Sequence, residues 1–170
     1  MNHRRRARTL LICNAAVIAA IYTVLTALSA ALGLSGGIIQ FRISEALCIF
    51  AVFTPAAIPG MTLGCIISNL LTGAAAWDVI FGSAATLVGI IGSRMLKKHP
   101  YIAPAPYFAA NTLIVPFILR FVYGSEGSLP FFMLTVGAGE AVCAWIGGIL
   151  LYLTLRHSRI TTYIAGNKGA

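Results

Sequence analysis

Long apolar runs separated by short polar segments occupy most of the chain. Most of the longer runs approach or exceed the roughly 20 residues that a helix needs to cross the hydrocarbon core of a bilayer. The pattern therefore predicts an all-α membrane protein with six membrane-spanning helices. The predicted helices cover residues 9–34, 44–57, 61–72, 79–96, 107–123 and 129–156.

The second and third helices are the least regular part of this pattern. Ser44 is a suitable N-cap for the second helix, and Pro59-Gly60 predicts a turn between the two. Gly33, Gly36 and Gly37 are expected to end the first helix. One kinked helix in place of the hairpin would give five crossings.

Charge favours six crossings over five. The chain carries 12 Lys and Arg against 4 Asp and Glu, and most of the bases lie in the N-terminus, in the 94–100 segment and in the tail. Six crossings with the N-terminus inside place all of these in the cytoplasm, as the positive-inside rule requires. The predicted organisation is a basic cytoplasmic N-terminus (1–8), a transmembrane domain (9–156) and a cytoplasmic tail (157–170) in the plasma membrane.

Composition and motifs exclude several functions. The chain is 59% hydrophobic and only 9% charged, whereas a soluble domain is about 25% charged. It has no aromatic-basic patch for nucleic acid, no Walker A motif, and no metal-protease or serine-hydrolase motif. We therefore expect neither an enzyme nor a cofactor, and active transport would need ATPases on other chains.

Carboxylates and amides gather at the end opposite the bases. Glu45 and Asp78 fall near helix starts, and Asn69 falls near the end of the third helix. Each has a structural alternative: Glu45 could pair with Arg42 or interact with the helix dipole, and Asp78 could be an N-cap beside an interfacial Trp77. Asn69 must find a hydrogen-bond partner in a ligand or in a neighbouring helix.

Glu140 lies inside the sixth helix. A charge at that depth costs several kcal/mol, so it marks a functional site by default. The alternatives are a structural pair with Arg120 or a hydrogen bond to a neighbouring helix.

The first helix carries alanines at four-residue spacing. Ala15 with Ala19, and Ala16 with Ala20, allow close helix approach. Packing within the bundle and docking to a membrane partner are equally compatible with this spacing.

Four segments of the chain resemble the QueT family, the substrate-binding S components of energy-coupling-factor transporters. These are QFRISEAL (40–47), FTPAAIPG (53–60), SNLLTG (68–73) and WDVIFGS (77–83). The resemblance implies the six-helix S-component fold and uptake of a queuosine precursor, a 7-deazaguanine such as preQ0, preQ1 or queuine. It also implies a transmembrane T component, docked through the alanines of the first helix, and two cytoplasmic ATPases.

A 7-deazaguanine has two adjacent N–H donors and one carbonyl on its pairing edge. A carboxylate suits the donors, and an amide or guanidinium suits the carbonyl. An aromatic ring would stack on the base. The candidate contacts are Glu45 or Glu140 for the donors, Asn69, Gln40 or Arg42 for the carbonyl, Asp78 for a cationic aminomethyl group, and Trp77 or Phe41 for stacking.

Two other functions remain open from the sequence. One is a self-sufficient homodimeric carrier that would use Glu140 as its proton site. The other is a membrane scaffold without a small ligand.

Overall fold

The computed structural model describes residues 3–34 and 40–158. Gly36, Gly37 and most of the predicted tail lie outside these residues. Within them the chain is helical and contains no strand. The six segments, labelled in chain order, are α1 (His3–Ala31), α2 (Ile43–Phe53), α3 (Ala57–Leu71), α4 (Ala76–Met95), α5 (Ala105–Phe121) and α6 (Leu129–Leu155).

Three of these helices, α1, α4 and α6, are long and apolar enough to cross a membrane, and α2, α3 and α5 are shorter apolar helices. Large apolar side chains cover the outside of the bundle, as at Ile12, Val24 and Leu71. Lipid, rather than water, suits such a surface. The structure therefore contains the six predicted helical segments, and the chain is a multi-pass membrane protein.

The turn between α2 and α3 lies earlier than the sequence predicted. It falls at residues 54–56, and Pro59 and Gly60 belong to α3. Pro59 is tolerated in the first turn of a helix because the N–H that it lacks would have no intrahelical partner. Gly60 faces α1, where a Cβ would come within 2.9 Å of the Ala15 carbonyl oxygen.

Other helix boundaries also differ from the prediction. α1 begins at His3 rather than at residue 9 and ends at Ala31, and α5 begins at Ala105. α4 begins at Ala76, so Asp78 lies in its first turn and is not its N-cap. Ser44 does not cap α2 either.

α1 packs on α3 through small residues. Gly60 and Gly64 are four residues apart on α3, and they face Ala15 and Ala19 of α1. A Cβ at Gly64 would lie 2.8 Å from the Cβ of Tyr22, so only glycine permits this approach. Ala15 and Ala19 are therefore buried inside the bundle. For this pair, the four-residue spacing serves packing within the bundle.

α2 and α6 meet through two unusual helical segments. The first seven residues of α2, Ile43–Ile49, form a 3₁₀-helix, and Ala141–Gly147 of α6 form a π-helix. The Cys48 thiol donates to the Ala144 carbonyl at 3.5 Å. This packing places Glu45, at the start of the 3₁₀ segment, and Glu140, immediately before the π segment, in the same part of the bundle.

Candidate functional site

Two adjoining cavities share part of their lining, and together they are lined by all four carboxylates of the chain. Glu45 and Glu140 line the narrow cavity, of ≈ 20 Å³, while Asp78 and Glu126 line the wide cavity, of ≈ 760 Å³. The narrow cavity has room for about one water molecule, whereas the wide cavity is large enough for a purine-sized ligand.

The residues just before α2 border both cavities. Gln40 and Arg42 line both of them. The Gln40 backbone rests directly on Gly139 of α6, where a Cβ would lie 3.1 Å from the Gln40 carbonyl carbon and closer still to its oxygen. Glycine at position 139 therefore allows this segment to lie next to Glu140.

Glu45 is held by two tyrosines. Its Oε1 accepts a hydrogen bond from the Tyr22 hydroxyl of α1 at 3.2 Å, and its Oε2 accepts one from the Tyr107 hydroxyl of α5. Both oxygens of this buried carboxylate are therefore engaged. Glu45 and Arg42 make no direct ion pair among the described residues, although their opposite charges interact at longer range.

Hydrogen bonds from α1 also fix the start of α2. The Thr26 hydroxyl donates to Ser44 Oγ at 2.7 Å, and the Ile43 N–H donates to Ser29 Oγ at 3.1 Å. Thr26 and Ser29 lie about one and two turns beyond Tyr22 on the same face of α1. α1 therefore positions the segment that carries Glu45.

Glu140 has no hydrogen-bond partner among the described residues. Its side chain is 8% exposed, and its Oε2 is fully buried. It lies eleven residues into α6, about 17 Å from the start of the helix, and it is not paired with Arg120. Burying an unpaired carboxylate is costly unless a partner with N–H or O–H donors is supplied, so Glu140 is the group in this cavity that most lacks a hydrogen-bond donor.

Asn111 also lines the narrow cavity. Its side chain is 4% exposed, and its Nδ2 donates to the Tyr107 carbonyl at 3.3 Å. No donor among the described residues reaches its Oδ1. Asn111 therefore presents an acceptor to the cavity.

Asp78 and Asn69 line the wide cavity. Tyr123 donates to Asp78 Oδ2 at 2.8 Å, and its hydroxyl accepts the Ala75 N–H at 3.1 Å. Burial raises the pKa of Tyr123, and the neighbouring Asp78 adds to the increase. Tyr123 therefore remains a neutral hydrogen-bond donor at physiological pH.

The structure brings six of the eight predicted ligand contacts to the cavities. These are Gln40, Arg42, Glu45, Asn69, Asp78 and Glu140. Trp77 is 58% exposed and stacks on Phe81, with their ring centroids 5.8 Å apart. Neither Trp77 nor Phe41 lines either of these two cavities.

Sequence reasoning missed the tyrosines that hold the carboxylates, and it missed Asn111. One signal was available on α5, because Tyr107, Asn111 and Val115 repeat every four residues and so share a helix face. No group of three or more His, Cys, Asp or Glu side chains in the described ranges is placed to hold a metal ion.

Comparison with known proteins gives two matches. The model of the QueT transporter family matches residues 12–157. The queuosine precursor transporter QueT of Lactococcus lactis subsp. cremoris (strain MG1363) is 30% identical over 163 residues, which cover 86% of this chain and 93% of that protein. No solved structure matches the chain.

Proposed function

The chain belongs to the QueT transporter family, and on that premise we propose that it is the S component of an energy-coupling-factor importer for a queuosine precursor. The relative from Lactococcus lactis is named as a queuosine precursor transporter. The ligand would be a 7-deazaguanine such as preQ1, preQ0 or queuine.

The observation that carries this proposal is the gathering of all four carboxylates at two adjoining cavities in a chain of net charge +8. A 7-deazaguanine is rich in N–H donors, and carboxylates are its natural acceptors. Glu140 suits the ring donors better than Glu45, because the two oxygens of Glu45 already accept tyrosine hydroxyls.

The remaining roles follow from position. Arg42, Gln40 or Asn69 would donate to the ring carbonyl, and Asp78 in the wide cavity would bind a cationic aminomethyl group such as that of preQ1. Stacking by Trp77 or Phe41 is not supported by their placement outside the cavities. Phe131 and Phe132 do line the wide cavity, and we assign stacking to them.

The membrane arrangement that suits this function has six crossings with both termini in the cytoplasm. The two cavities then face outward, where a ligand is captured, and the basic segments face inward. Labelling of single introduced cysteines tests this arrangement. Reaction of a cysteine at position 98 with an impermeant reagent applied to intact cells would contradict it.

The T component is proposed to dock on the exposed alanine face of α1. Ala15 and Ala19 are buried against α3, whereas Ala16 and Ala20 are exposed on the bundle surface. Ala16→Leu should therefore reduce copurification with a T component and leave ligand binding intact. Ala27→Leu, on the exposed part of α1 further along, measures how far the docking face extends.

Two measurements test the proposed function. Thermal-shift titration of the purified protein should show stabilisation by 7-deazaguanines and weaker stabilisation by guanine. In liposomes, uptake should require the T component, both ATPases and ATP. Uptake by this chain alone would instead indicate the self-sufficient carrier, and the absence of any deazapurine effect would indicate a scaffold.

A further inference from the structure

The size and lining of the narrow cavity suggest which part of a ligand enters it. At ≈ 20 Å³ it cannot hold a ring, but it matches a group of about the size of water. A primary amino group has that size. The ring itself would lie in the wide cavity, which Gln40 and Arg42 border on the shared side.

Two buried side chains of the narrow cavity offer acceptor oxygens that no described donor reaches, while Gln40 and Arg42 supply donors at its border. Glu140 has no described donor on either oxygen, and Asn111 offers Oδ1 while its Nδ2 is engaged with the Tyr107 carbonyl. Glu45 also lines the cavity, but its oxygens already accept two hydroxyls. Glu140 and Asn111 are therefore the two buried side chains in this lining with an acceptor oxygen that no described donor reaches.

We propose that the narrow cavity is an amino-group subsite, in which Glu140 and Asn111 each accept one N–H from a primary amino group of the ligand. This deepens the proposed function and rests on it. The two N–H groups of the neutral 2-amino group of the 7-deazaguanine ring match these two acceptors, whereas a charged aminomethyl group carries three N–H donors, so the 2-amino group fits better. Glu45 is then a positioning residue, held by Tyr22 and Tyr107.

Ligand analogues that lack one amino group at a time provide the test. Isothermal titration would compare 7-aminomethyl-7-deazaguanine with the analogue that lacks its 2-amino group, and with 7-deazaguanine, which lacks the aminomethyl group. A hydrogen bond to a charged group contributes about 1.5–3 kcal/mol. Loss of the 2-amino group should therefore weaken binding to the unmodified protein about 10- to 150-fold.

Variants then identify which residues make this distinction. Glu140→Gln and Asn111→Ala should weaken binding of the full ligand. They should also bring close to one the ratio between the affinity for the full ligand and the affinity for the analogue that lacks the 2-amino group. Thr112→Val is the matched control, because Thr112 is the next residue on α5 and lines neither cavity. It should keep the full ratio. Glu45→Gln should keep the ratio as well, even where it lowers stability.

Each outcome has a distinct meaning. If the variants instead bring close to one the affinity ratio between the full ligand and 7-deazaguanine, the amino-group subsite is confirmed, and the group that it binds is the aminomethyl amine. If all ligands bind but neither ratio depends on Glu140 or Asn111, the amino-group subsite is wrong while the proposed function survives. If no 7-deazapurine binds the unmodified protein, the proposed function fails, and the subsite fails with it.

Discussion

Substitution of Gly139 by alanine tests whether the segment at Gln40 must lie on α6 for the ligand to bind. The new Cβ would lie 3.1 Å from the Gln40 carbonyl carbon and would overlap the space of its oxygen. Backbone atoms cannot move aside as a flexible side chain can, so the segment must shift away from α6. Gln40 and Arg42 would then be displaced from the boundary between the two cavities.

The size of the effect follows from the cost of overpacking, which is about 1–3 kcal/mol. If the bound state requires the native position of the segment, that cost appears in the affinity as a loss of about 5- to 150-fold. Titration of Gly139→Ala with a 7-deazaguanine measures it directly.

Gly148→Ala provides the matched control on the same helix. Its Cβ would meet the Ala46 carbonyl oxygen at 3.5 Å and Cys48 Sγ at 3.7 Å, which are ordinary contacts. This variant should bind with native affinity. Equal affinities of the two alanine variants would refute the idea that the Gln40 segment shapes the site.

Three further substitutions test the packing and the polar contacts. Gly64→Ala should lower the melting temperature in detergent, because its Cβ would lie 2.8 Å from that of Tyr22, at a cost of about 1–3 kcal/mol; an unchanged melting temperature would contradict this packing. Arg94→Gln should destabilise the fold by removing the guanidinium that donates to carbonyls at the end of α2, and thermal melts measure the loss. Burial, and then the neighbouring Asp78, raise the pKa of Tyr123 above 10.0, so the neutral phenol contributes stability that is fully present below pH 10.0 and is lost as the pH rises through the raised pKa. Melts from about pH 8 to about pH 11 should therefore show an alkaline component that Tyr123→Phe lacks.

The number of helices and most of the polar site could be predicted because membranes penalise polar residues strongly. Glu140 and Asn69 are exceptions within apolar runs, and such exceptions are visible without a structure. Arg42 and Gln40 were found through the family resemblance. Their placement beside Glu140 depends on Gly139, which has no distinctive signature in a glycine-rich chain.

The parts that sequence did not predict depend on neighbouring helices. Pro59 suggested a turn, but a proline in the first turn of a helix gives the same signal in sequence. Tyr22 and Tyr107 lie in apolar runs, where a tyrosine is equally typical of a membrane interface. Only their convergence on Glu45 from two helices identifies them as its partners.

The division of the alanines on α1 shows the same limit. Ala15 with Ala19 and Ala16 with Ala20 have the same four-residue spacing. The two pairs differ in whether their face of α1 contacts the glycines of α3. Ala15 and Ala19 meet them, whereas Ala16 does not. Spacing alone cannot distinguish two faces of one helix, because it carries no information about what each face contacts.

The most direct test of the central claim is an experimental structure of the purified protein with a bound 7-deazaguanine. The account predicts the ring in the wide cavity, Arg42 beside it, and an amino group of the ligand between Glu140 and Asn111. A ligand bound at the opposite, basic end of the bundle, or one that leaves Glu140 without a hydrogen-bond donor, would contradict it.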